Sequence, residues 1–152
     1  MIIMVNFLKQ DIENLWGFLK AVYGTAAIVV GLDKFTFFLA DWTAYVSPLV
    51  LAIIPLSAQT IIGIVGVIEI AAGIIIFSYW TKLGAYIVSA WVAVVALNLV
   101  MVGVYDIAIR DLLIAAGAFS LAKLTVIREE SVKEFLRPME GMRPAMRMKP
   151  IV

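Results

Sequence analysis

Five ionisable side chains stand inside or beside long apolar runs. They are Asp33 and Lys34 in Gly31-Leu-Asp-Lys-Phe35, Glu69 in Gly66-Val-Ile-Glu-Ile-Ala-Ala-Gly73, and Arg110 and Asp111 in Ile109-Arg-Asp-Leu112. A carboxyl beside a cation in apolar surroundings can hold the polar head of a quinone or exchange its protons. It can equally be an electrostatic staple that fixes the register of two helices, and the residues alone leave both readings open. Glu69 is the deepest of the five. Residues 60–80 around it form an apolar run long enough to cross a bilayer, since about 20 residues at ~1.5 Å each span the ~30 Å hydrocarbon core. At ~100° per residue Gly63, Gly66, Glu69 and Gly73 share roughly a third of the helix circumference, a face that lets another backbone come close. A charge at mid-bilayer costs at least about 2.5 kcal/mol, so this face is expected to look into protein and away from lipid.

Much other chemistry is excluded. The chain has neither cysteine nor histidine, which removes disulfides, thiolate or imidazole metal sites, iron–sulfur clusters, imidazole-ligated haem and Ser-His-Asp or Cys-His nucleophiles. No metal site is expected. Any redox chemistry must use a diffusible carrier or a partner. Of the 152 residues 64% are hydrophobic and 15% charged, with mean hydropathy +1.05, against about 25% charged in soluble domains. This composition belongs to an integral membrane protein. A net charge of +1 gives no reason to expect nucleic acid as a partner.

The elements that must position these residues are helices. Residues 1–14 carry apolar positions at near-helical spacing with Lys9, Asp11 and Glu13 between them, which predicts a short interfacial helix. A first span follows over about 15–38. Residues 45–57 are apolar but contain Pro48 and Pro55 and are too short to cross alone. They predict a re-entrant or interfacial element starting with Ser47 as N-cap and Pro48 at the first helical position, with Trp42 and Tyr45 as interface anchors. The alternative is one long helix from Pro48 to Trp80 kinked at Pro55. The second span is the Glu69 helix. A tight connection at Thr81 and Lys82 leads to a third span over about 83–104, whose polar interior residue Asn98 suits a helix–helix hydrogen bond. Tyr105 and Asp106 turn the chain into a fourth span over about 107–127. The fold predicted is thus an all-α membrane four-helix bundle over residues 15–127, with an interfacial N-terminal helix and a short element before the second span.

Antiparallel spans would collect Asp33, Lys34, Asp106, Arg110 and Asp111 at one end, with Glu69 about 13 Å below the start of its helix. Arg110 is the cation expected to reach inward to Glu69 or across to Asp33. Ten of the twelve lysines and arginines fall on the opposite side from Lys34 and Arg110, which by the positive-inside rule places both termini in the cytoplasm of a cell-membrane protein. The tail, 128–152, starts helically and then becomes rich in Pro, Met and Arg. With little apolar surface of its own it is expected to be disordered alone and held by a partner through Arg137, Met139, Met142, Arg143, Met146 and Arg147. Without His or Cys beside them, the methionines read as an adaptable contact strip more than as soft-metal ligands.

Taken in order, the Gly31–Phe35 segment, the Gly66–Gly73 segment and Ile109-Arg-Asp-Leu followed by Gly117-Ala118 resemble the DoxX-like membrane family over about residues 23–127. That family is linked to thiosulfate:quinone oxidoreductase and other membrane redox complexes. The resemblance implies a quinone-linked or complex-associated role, and carries over only the polar positions Asp33, Lys34, Glu69, Arg110 and Asp111. The expected function is a non-catalytic subunit of a larger membrane oxidoreductase, with other membrane subunits and lipids as partners. A quinone-reactive subunit with its head-group site at Glu69 and Arg110, and a small transporter or lipid-handling protein, are the alternatives.

Overall fold

The computed structural model describes residues 2–147, with side chains over residues 9–133. The described chain is helical, with no strand: α1 Ile2–Thr36, a 3₁₀ turn Trp42–Tyr45, α2 Pro48–Ile53, α3 Ala58–Phe77, α4 Thr81–Val102 and α5 Tyr105–Arg147. Among the described residues, three helical stretches are long and apolar enough to cross a membrane: Lys9–Thr36 within α1, Ala58–Phe77 and Thr81–Val102. α5 is long enough as well, but Arg110, Asp111 and Lys123 interrupt its apolar part.

Local chemistry sets most of the boundaries. Ser47 accepts a hydrogen bond from Val50 N at 3.3 Å ahead of Pro48, and Ser57 accepts one from Thr60 N at 3.2 Å, so each hydroxyl satisfies an orphan donor of its helix's first turn. Pro55 falls between α2 and α3, which are separate helices; the single kinked helix is not formed. The α3–α4 turn occupies residues 78–80, one step earlier than expected, and Thr81 already belongs to α4. There its hydroxyl donates to Ile76 O at 2.8 Å. The α4–α5 turn also comes early. Gly103 takes φ 89°, a left-handed conformation that closes α4 at no steric penalty, and Tyr105 already opens α5.

Two expectations fail on helix length. α1 runs unbroken through residue 14, because no glycine or proline precedes Gly17, so residues 2–14 belong to the same helix as the first candidate span and form no separate helix. α5 continues to Arg147 through Pro138 and Pro144, although each ring removes a backbone donor. The extensions are tied where they leave the bundle: Arg128 Nε donates to both Glu13 carboxylate oxygens at 2.7 and 2.8 Å, and Trp16 Nε1 donates to Thr125 Oγ1 at 2.9 Å. Arg137, Met139, Met142, Arg143, Met146 and Arg147, the expected partner contacts, lie outside the described side chains.

The long helices close a ring. α1 packs on α3 and α5, and α4 packs on α3 and α5. One half of the ring is filled by Ala72, Ile76, Ala85, Val88, Ala118, Leu121 and Ala122. Small residues dominate this list, so helix backbones approach closely, as they do where lipid removes the hydrophobic drive between helices. Outward positions such as Val67, Ile74, Leu97 and Leu113 are apolar and exposed, which suits a lipid surround.

The 3₁₀ turn and α2 are held on the other half by Asn98. Its Oδ1 accepts from Ser47 N at 3.0 Å and its Nδ2 donates to Tyr45 O at 2.6 Å, so it anchors a loop, where a helix–helix bond was expected. Asn98→Ala removes both partners of backbone groups at a partly buried position. It is expected to cost about 1–3 kcal/mol and to raise hydrogen exchange selectively over residues 45–50, measured by mass spectrometry.

Candidate functional site

The site begins with two glycine contacts between antiparallel α1 and α3. A Cβ on Gly31 would stand 2.8 Å from Gly66 O, and one on Gly73 would stand 2.8 Å from Gly24 O. Gly31 opposite Gly66 sets the register. Lys34 lies three residues beyond Gly31 and Glu69 three beyond Gly66, which in an antiparallel pair separates their Cα atoms by about 9 Å along the axis. Helical side chains lean toward their own N-terminus, so in antiparallel helices the two lean toward each other. Lys34 Nζ closes the gap and donates to Glu69 Oε2 at 2.6 Å, with only 5% and 13% of the two side chains exposed. The Glu69 face therefore looks into protein, as the sequence implied. Its cation is Lys34, where Arg110 was expected.

Arg110 stays on its own helix. Its Nε and Nη2 donate to Asp111 Oδ1 at 3.2 and 3.1 Å, and 60% of its side chain is exposed. The ring explains why: α1 is a direct neighbour of α3, whereas α5 packs on α1 and α4.

Asp33 has a different task. Its carboxylate accepts from Thr36 Oγ1, the Phe38 and Leu39 amides, and Trp42 Nε1, the last at 2.7 Å. These bonds hold the turn after α1, where Phe37 takes φ 54°. A left-handed conformation costs an L-residue about 1–2 kcal/mol, and the Asp33 hydrogen bonds offset it. They also place Trp42, whose ring centroid lies 4.2 Å from Lys34 Nζ. Trp42 is thus a lid on the buried cation. Tyr45 packs edge-on against it at 6.1 Å. Asp106 is exposed and takes no part.

Two adjoining cavities open around the pair. One, about 410 Å³, lies among α1, α4 and α5 and reaches Tyr23, Glu69, Val88 and Ile114. The other, about 320 Å³, lies beneath α2 between α3 and α4 and reaches Val50, Ile62 and Asn98. Lys34, Trp42, Trp91, Arg110 and Asp111 line both and form the polar waist between mainly aliphatic chambers. Such a shape, a few hundred Å³ of apolar wall with a few convergent polar groups, fits an amphipathic small molecule.

The residue that sequence reasoning missed is Trp91. It sits midway along α4, far from the headgroup belts where membrane tryptophans usually lie, and that placement was the available signal. Its Nε1 is buried and, among the described residues, is the side-chain polar atom left without a hydrogen-bond partner. It faces the Glu69 carboxylate without reaching bonding geometry. Among the described residues no group of three His, Cys, Asp or Glu side chains is placed to hold a metal ion.

Compared with protein-family models, characterised proteins and solved structures, the chain matches none of them.

Proposed function

We propose that this chain is a quinone-binding subunit of a larger membrane oxidoreductase, with no redox centre of its own. One observation carries the reading: a buried Lys34–Glu69 pair whose lysine lines both apolar chambers and whose carboxylate lines one, with an indole N–H beside it that lacks bonding geometry to any acceptor. A quinone has carbonyl oxygens that accept hydrogen bonds and an apolar ring and tail that suit aliphatic walls. A donor of the waist would hold the head beside the Lys34 ammonium, Glu69 would accept from it in its reduced form, and the second chamber would receive the start of the tail. The carrier would supply the redox chemistry, and its electrons would come from a partner. The DoxX-like resemblance points the same way. In this reading α1, α3, α4 and α5 are four spans of a cell membrane, with both termini cytoplasmic.

The test is extraction. Organic solvent applied to protein purified in mild detergent is expected to release a quinone at about one per chain, identified by mass spectrometry. Release of membrane phospholipid alone would remove the reading.

A further inference from the structure

The quinone-binding reading leaves open which group fixes the head, and the geometry points to Trp91: we infer that its indole N–H is the donor that holds an acceptor oxygen of the bound head group. Lys34 Nζ gives one of its three N–H groups to Glu69 at 2.6 Å and lies 4.2 Å from the Trp42 ring centroid, and the single N–H of Trp42 goes to Asp33 at 2.7 Å. Arg110 is turned to Asp111. Trp91 Nε1 is buried beside the Glu69 carboxylate without bonding geometry to it, and the Trp91 side chain lines both chambers. Buried donors are nearly always paired, and one left open beside a cavity is an affinity reserve for a molecule that brings an acceptor. An acceptor at that point also stands next to the Lys34 ammonium, so carbonyl oxygen is favoured there over hydrocarbon. Trp91 then discriminates a quinone from the surrounding acyl chains, which offer no acceptor and gain nothing from the site that they lack in the bilayer.

The inference rests on the quinone-binding reading, and one experiment separates them. The full chain in mild detergent is titrated calorimetrically with a short-tailed benzoquinone, as wild type, as Trp91→Phe, and with Trp91 replaced by 3-benzothienylalanine, which keeps the ring shape and loses the N–H. Both substitutions are expected to weaken binding about tenfold, while the melting temperature of the ligand-free isosteric variant stays level or rises, because an unpaired buried donor is gone. Unchanged affinity in the isosteric variant overturns the role of Trp91 and leaves the reading intact. A lower ligand-free melting temperature in that variant also overturns it, since the N–H would then have a partner within the chain. Absence of wild-type binding overturns both.

Discussion

Lys34→Met should lower the stability of the folded protein by about 3–5 kcal/mol, the largest loss expected from any single substitution in the site. The ammonium it removes lies 2.6 Å from Glu69 Oε2 and is 5% exposed, so the carboxylate is left buried with no cation beside it. Breaking one side of a buried pair costs that much because desolvation of the survivor is no longer offset. The contact with Trp42 goes too, and contributes about 0.5–2 kcal/mol of its own. Removing both charges has a different consequence. Lys34→Met combined with Glu69→Leu exchanges the pair for side chains of similar volume, and replacing a buried pair in this way is often neutral or stabilising. Unfolding curves in mixed detergent micelles would therefore show the single variant far below wild type and the double variant within about 1 kcal/mol of it. Equal losses in both would mean that the site contributes shape and not electrostatics.

The second large effect is expected at the helix crossing. A Cβ on Gly66 would stand 2.7 Å from Gly31 O and 2.9 Å from Phe35, and since a carbonyl of a helix backbone cannot swing aside, α1 and α3 must part. Gly66→Ala should cost about 1–3 kcal/mol even though alanine gains about 1 kcal/mol in helix propensity. Gly17 is the internal comparison. It lies in α1 with nothing within 4 Å of its added Cβ, so there the propensity acts alone and Gly17→Ala should stabilise by about 0.5–1 kcal/mol. Opposite signs for the same chemical change, measured under the same detergent conditions, are the signature of close backbone packing at Gly66. A stabilised Gly66→Ala would show that the two helices do not meet there.

The sequence made some of this site legible. Ser47-Pro48 marked the start of α2, the apolar run with its glycines marked α3 and the side that must be buried, and Glu69 marked the polar depth. The identity of its cation was not legible. Lys34 and Arg110 both lay at the same end of the predicted bundle, and choosing between them required the neighbour relations of four helices. Those depend on Gly31 meeting Gly66, a contact between residues 35 positions apart. Asp33 was read with the polar cluster because charge is visible in sequence, while its task, accepting from the Phe38 and Leu39 amides and Trp42, depends on a left-handed Phe37 that no propensity favours. The separate helix expected over residues 1–14 fails for a related reason. Polarity does not end a helix, which stops only where the backbone has something better to do, and α1 and α5 brace each other through Glu13 and Arg128.

The central claim, that the Lys34–Glu69 pair is the floor of a binding site and more than a staple between α1 and α3, is tested most directly by titrating the Lys34→Met/Glu69→Leu protein with a short-tailed benzoquinone beside wild type. A binding site with its polar floor removed should stay folded and bind at least tenfold more weakly. A folded double variant that binds as tightly as wild type would contradict the account and leave the pair as a staple.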